Sequence, residues 1–247
     1  GMPRPLAALL AGAVLYAGVF SGFSIWKLRT MNAHYYDLGI MHQTVYNSYA
    51  ALQDGDASRF LSLTSPHPPG SIEEIKRPAV HNDLLLGLLA IFYFMYAGPE
   101  TLLIIQSLAL AAGALLIYKI AGLVFAALPR RDFLAALFGF LYLLYPANHG
   151  VNSYEFHAVA LAIPLILGMM YCTMRRAYLW AGLFFVLAIL TKEQVALSTA
   201  ALERLLEIRR LKEVGDIKTQ LLNTASHELG TPLTPIRIQL QVLQKSR

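Results

Sequence analysis

The sequence predicts an all-α membrane protein: a polytopic helical bundle followed by a long amphipathic, coiled-coil-like helix. Three observations predict it. The 247 residues are 56% hydrophobic and only 14% charged, whereas a soluble domain carries about 25% charged residues. Several apolar runs are long enough to sit in a hydrocarbon core ~30 Å thick. From Glu203 onward, charges alternate with Leu205, Leu206, Ile208, Leu211, Val214, Ile217, Leu221 and Leu222 at steps of three and four, the period of a helix with one apolar stripe.

Leu6 to Trp26 carries no charge and is long enough to span. Arg4 before it leaves a signal peptide as the alternative, but no small-residue cleavage site precedes Lys27, which favours a retained span. Residues 28–83 change character: His34, Asp37, His42, Asp54, Asp56, His67, His81 and Asp83 are interspersed with Tyr, Asn and Pro. They read as a water-facing loop, with an interfacial amphipathic helix over Tyr36 to Leu52. Ser65-Pro66-His67-Pro68-Pro69-Gly70 cannot lie inside a helix.

Leu84 to Ala97 is apolar but short, which suits a re-entrant or interfacial segment. The aromatic residues between Phe92 and Tyr96 read as interfacial anchors. Leu102 to Leu128 is a span, followed by Pro129-Arg130-Arg131. Phe133 to Tyr145, a polar loop from Pro146 to Glu155, Phe156 to Met174 with Arg175-Arg176, and Ala177 to Leu190 complete the membrane domain over residues 1–202. The total expected is about five or six spans, by the length criterion of roughly 20 apolar residues each. Both arginine pairs belong in the cytoplasm by the positive-inside rule, and with the N-terminus also inside, loop 28–83 lies outside the cell membrane.

Composition also excludes functions. Cys172 is the only cysteine, so an intrachain disulfide framework and a clustered-cysteine metal site are ruled out, and no metal is expected. The formal charge of +5 is modest and reads as cytoplasmic loops, not as a nucleic-acid surface. Membrane lipid is the expected partner.

The tail contains Ser226-His227-Glu228-Leu229-Gly230-Thr231-Pro232-Leu233. An imidazole near neutral pH offers an unprotonated nitrogen as phosphoacceptor. Glu228 is placed to orient the ring or take its proton. Pro232 lacks the backbone donor that would bond to Glu228, and bends the helix there. The pattern resembles the H-box of the dimerisation and phosphoacceptor domain of sensor histidine kinases, with Gly230 where that family carries a basic residue. The resemblance implies that residues 203–247 are a truncated acceptor helix, with His227 as acceptor, Glu228 as its base and Thr231 as the residue that positions water for dephosphorylation. It further implies a homodimer through this helix, a response regulator as partner, and a cytoplasmic tail. Asp-x-Gly-x-Gly, an asparagine-rich box and a glycine-rich ATP lid do not occur in the 247 residues. ATP is therefore expected to act only through a separate kinase catalytic domain in trans, with no cofactor held by this chain.

A second pattern lies in the membrane domain: Tyr36-Asp37-Leu38-Gly39-Ile40-Met41-His42-Gln43, with Tyr46-Asn47. With His81, Gln106, Tyr145-Pro146, Glu155-Phe156-His157 and Thr191-Lys192-Glu193, it resembles an uncharacterised family of polytopic membrane proteins. That family is in turn similar to GT-C glycosyltransferases, which take sugars from lipid-phosphate donors. The resemblance implies that Asp37 is a general base or metal-linked carboxylate in the first outer loop. His81, Glu155 and His157 would complete a polar site, and Lys192 with Glu193 would face a phosphate or close a buried ion pair. For each there is a plain alternative. Asp37 caps the interfacial helix, Glu155 and His157 are loop residues at a helix start, and Lys192-Glu193 marks the membrane edge.

Two function classes therefore stand: a membrane sensor feeding a His-to-Asp phosphorelay, or a lipid-linked-sugar transferase relative with an inert tail. The joint between the two parts is in tension with the topology. With Arg175-Arg176 inside, the next run ends outside, and residues 194–202 make only half a span.

Overall fold

The computed structural model describes residues 2–33, 36–65 and 73–195, together with residues 204, 212 and 219. The chain divides into two units, Gly1–Thr199 and Ala200–Arg247. In the second, Arg204, Lys212 and Thr219 are helical. The rest of the expected acceptor helix, including His227, Glu228 and Thr231, lies outside the described residues.

The first unit is built on two long helices. α1 (Arg4–Arg29) starts with proline in its first turn, where the missing N–H costs nothing, and ends with Lys27 and Arg29 against the negative end of its dipole. α4 (Pro99–Val124) repeats the design, with Gly98 as N-cap, Pro99 at its start and Glu100 in its first turn. Each has 26 residues, about 39 Å at 1.5 Å per residue, and both are long and apolar enough to cross a membrane.

α5 (Arg131–Leu143) packs on both. Its buried stripe Ala135, Ala136, Gly139 and Leu143 is mostly small, which lets backbones approach as lipid-embedded helices require. A Cβ on Gly139 would meet Leu9 Cδ2 at 2.6 Å and the Ala114 carbonyl at 3.1 Å. After a 44° bend the chain continues as α6 (Pro146–Ser153), and the bent pair makes a third candidate span.

α7 (Ala162–Met174) and α8 (Tyr178–Ile189) form a hairpin, turned at Arg176 in the left-handed conformation (φ 59°). With 13 and 12 residues they reach only about 18–20 Å as α-helix. Among the described residues there are thus two candidate spans, or three with the bent pair, where five or six were expected. The apolar run from Phe156 is not helical throughout, because Ala158–Leu161 is a 3₁₀ turn. The polar loop expected after Pro146 is helical too: Asn148 Nδ2 donates to the Tyr142 carbonyl (2.9 Å), and His149 Nε2 meets the Leu143 carbonyl (2.5 Å). These side chains bond to carbonyls of the last turn of α5, where Pro146 has no N–H to donate.

The outer segment is a folded module. α2 (Tyr36–Asp54) is followed by a hairpin of β1 (Ser62–Ser65) and β2 (Glu73–Lys76), paired antiparallel with Ser62 opposite Lys76. The unit is therefore mostly helical with one small sheet, not purely α. The hairpin exists because α2 grips it. Gln43 donates to Thr64 Oγ1 (2.8 Å) and accepts from the Thr64 N–H (3.2 Å), and Asn47 donates to the Ser62 carbonyl (2.9 Å).

Beneath the hairpin, Leu38, Met41, Val45, Leu61, Leu86, Tyr93, Leu102 and Phe156 form the larger apolar core. It joins α2 to α3 (Leu85–Leu89), whose 3₁₀ continuation Ala90–Phe94 is too short to span, as the sequence predicts. Phe92, Phe94 and Tyr96 are exposed, whereas Tyr93 is buried. A second core, around Leu9, Tyr16, Leu110 and Ala114, joins α1, α4 and α5.

Candidate functional site

The end of α1, the starts of α4 and α7, and the ends of α6 and α8 meet at one end of the bundle, where the outer module sits. Lys27 Nζ donates to the Ser153 carbonyl (2.8 Å), Arg29 lies 3.7 Å from Glu100, and the Leu85 N–H donates to the Leu190 carbonyl (2.9 Å). The arginine pairs 130–131 and 175–176 lie at the turns of the opposite end.

At the loop end three of the sequence-predicted residues come together. Asp37 Oδ2 lies 3.2 Å from His157 Nε2, across 120 residues of chain. Both side chains are partly open, 41% and 29% exposed. Glu155 is 2% exposed, and its Oε2 accepts the Leu38 N–H at 3.0 Å. Asp37 lies inside the first turn of α2 rather than before it, and Glu155, from another element, satisfies the Leu38 N–H of that turn. Asp37, one turn-position away, is left to face the imidazole.

His81 does not join them. Its Nδ1 lies 3.1 Å from Glu193 Oε1, and the Asn82 N–H donates to Glu193 Oε2 (3.0 Å). Among the described residues no hydrogen bond or ion pair links this couple to Asp37 and His157. Of the readings open for Lys192 and Glu193, a buried ion pair does not fit Glu193, which is exposed and makes a surface contact with His81. The Glu193 carboxyl is held down to about 2 by its own backbone N–H, the Asn82 N–H and His81. Lys192 is half-buried beside it.

Several residues that the sequence contains but to which its patterns assign no role act as partners. Gln106, 1% exposed, donates to the Val151 and Glu155 carbonyls (3.3 and 3.2 Å) and accepts the His157 N–H (3.0 Å). The sequence marks it only as one position of the membrane-domain pattern. Arg77 and Asp83 form a buried two-pronged ion pair, with Nη2 to Oδ2 at 2.8 Å. His42 Nδ1 lies 2.8 Å from Tyr93 Oη, and burial holds its imidazole below the ordinary histidine value, with Glu100 opposing.

Asn152 ties α6 to the long helices: its carbonyl accepts from Ser24 (3.1 Å) and its Oδ1 from Ser107 (3.0 Å). Among the described residues Tyr142 Oη and Glu155 Oε1 are buried without a hydrogen-bond partner. Also among them, no group of three or more His, Cys, Asp or Glu side chains is placed to hold a metal ion.

A family model described as "Predicted membrane protein (DUF2079)" matches residues 27–231. No curated protein and no solved structure matches the chain. The match covers well over half of the sequence, including both the outer module and the residues around His227. The chain belongs to this family of membrane proteins.

Proposed function

We propose that this DUF2079 membrane protein is a transferase relative that works on a lipid-linked substrate, such as a sugar carried on a lipid phosphate, at the loop end of its bundle. The observation that carries the reading is the contact of Asp37 with His157. A carboxylate against an imidazole fixes the ring and stabilises the imidazolium, so the couple is suited to take a proton from an attacking hydroxyl. In such a transfer the acceptor oxygen bonds to the sugar carbon, its proton passes to the couple, and the lipid phosphate leaves with the electron pair. The partial exposure of both groups leaves them accessible to a substrate. Placing the arginine pairs in the cytoplasm puts this site on the outer face.

The test is transfer from a radiolabelled polyprenyl-phosphate sugar in proteoliposomes. Asp37→Asn should lower turnover by about 10²–10⁴-fold, the usual scale for losing a general base. Undiminished turnover in that variant would remove Asp37 from the mechanism.

The residue pattern at 226–233 favours a second reading, a membrane protein feeding a phosphorelay through His227. A separate kinase catalytic domain with labelled ATP should then give an acid-labile, alkali-stable label that His227→Gln abolishes. Label persisting in that variant would exclude His227.

A further inference from the structure

The groups around Asp37 and His157 differ in what they can reach. Glu155 and Gln106 are almost wholly buried, and every bond each makes is to backbone. Gln106 uses its amide in both directions on one strand of chain. Its Nε2 holds the carbonyls of Val151 and Glu155, and its Oε1 holds the N–H of His157. It thereby fixes the extended turn between α6 and the 3₁₀ turn that precedes α7, and that turn carries both Glu155 and His157.

Glu155 then reaches across to α2. The Leu38 N–H is one of the donors that the first turn of a helix leaves without an internal partner. A carboxylate there satisfies the donor and opposes the positive end of the helix dipole. Asp37 stands in the same turn of α2. One anchored turn therefore presents His157 with its own backbone, and presents Asp37 by holding the helix that bears it.

We infer that Gln106 and Glu155 are positioning residues: they set Asp37 against His157 without touching substrate. Glu155 is accordingly not a second acid or base of the site. The inference rests on the reading that Asp37 and His157 form the working pair. Reacting groups misplaced by about 1 Å lose about 10²-fold in rate, so such an anchor is worth as much to the chemistry as a reacting group.

Zinc bridging tests this without a substrate. In the full chain in lipid nanodiscs, with Cys172→Ala, Asp37→Cys puts a thiol opposite the His157 imidazole. Thiolate and imidazole are good zinc ligands, so Zn²⁺ should slow maleimide alkylation of that thiol, and His157→Ala should abolish the protection. Adding Glu155→Met should raise the Zn²⁺ needed for half-protection by about 10–100-fold, the usual scale for losing a group that orients a ligand. Gln106→Met should do the same.

Glu155→Gln keeps an acceptor for the Leu38 N–H and should stay near the parent. A side chain that only fills space would rank Met with Gln. In the chain that retains Cys172, this buried thiol should stay unreactive in each variant, which reports that the bundle remains packed. Unchanged protection in Glu155→Met and Gln106→Met, or equal loss in Glu155→Gln, overturns the positioning role. Absence of protection in the parent overturns the pairing of positions 37 and 157 itself, and the inference with it.

Discussion

Asp83→Asn is expected to loosen the outer module far more than any surface charge removal. Arg77 Nε lies 2.9 and 3.0 Å from the two Asp83 oxygens, and Nη2 lies 2.8 Å from Oδ2. The side chains are 7% and 3% exposed. Removing the carboxylate charge leaves a guanidinium buried without a counter-charge, which costs about 3–5 kcal/mol. Asp54 and Arg59 are the internal control. Their separation is also 2.8 Å, but they are 58% and 40% exposed, so Asp54→Asn should cost about 0–1 kcal/mol. The shortest distance is matched, and burial together with the two-pronged geometry separates the two.

The assay is native-state proteolysis of the module in detergent, whose rate follows the opening equilibrium when reclosing is fast. At 1.4 kcal/mol per decade, Asp83→Asn should speed cleavage by about two to three and a half decades. The double change Arg77→Met with Asp83→Leu should recover most of the loss, since a well-packed apolar pair replaces a buried ion pair at little cost. A rate for Asp83→Asn no higher than for Asp54→Asn, or a double variant as open as the single one, would refute the reasoning.

Gly139→Leu should separate α5 from α1 and α4, because a Cβ there already meets Leu9 and the Ala114 backbone; a loss of about 1–3 kcal/mol in thermal unfolding is expected. The Glu193 carboxyl, lowered to about 2 from its ordinary 4.5, favours the closed contact above pH 4.5 and loses it as pH falls toward 2. Hydrogen exchange at the Asn82 amide should rise through that window, corrected for the intrinsic rate, and Glu193→Gln should remove the step. For topology, Ala57→Cys should react with an impermeant maleimide on intact cells, and Ala127→Cys only after lysis, since both positions are exposed and lie at opposite ends of the bundle.

The two longest helices were legible because an apolar run of span length with few or no charges has few other uses, and the proline, glycine and basic residues at or beyond their ends punctuate them. α6 was not legible. Its residues Pro146 to Ser153 show no apolar stripe and carry a glycine inside, and the contacts of Asn148 and His149 with the Tyr142 and Leu143 carbonyls that accompany the helix leave no trace in the pattern. The hairpin was hidden for a related reason: four-residue strands carrying Glu74 and Lys76 show no apolar alternation, and Gln43 and Asn47 of another element hold them.

The site was half legible. Asp37, Glu155 and His157 stand out as ionisable groups in an apolar chain, and the fold does gather them. Their division of labour was not readable, because a cap donated across 117 residues leaves no local trace. The same holds for His81 and Glu193, whose pairing depends on α8 returning to the loop end.

That return bears on the tail. α8 ends where the outer module begins, so with the arginine pairs in the cytoplasm, residue 190 lies at the outer face. The phosphorelay reading needs position 227 in the cytoplasm, where ATP and a response regulator are. The sequence between offers only Gln194 to Leu202 as an apolar stretch, about 14 Å as helix against a core of ~30 Å. Against this, residues 203–247 carry Arg204, Arg209, Arg210, Lys212, Lys218, Arg237, Lys245 and Arg247 against five acidic side chains, an excess that favours the cytoplasmic side. The family match crosses this joint without a break, up to residue 231. Sidedness of the tail therefore separates the two functions more sharply than either motif does. We expect Lys245→Cys to be labelled by an impermeant maleimide only after lysis, as the charge excess requires. Labelling on intact cells would place His227 away from ATP and response regulator, and would leave the couple at Asp37 and His157 as the working end of the protein.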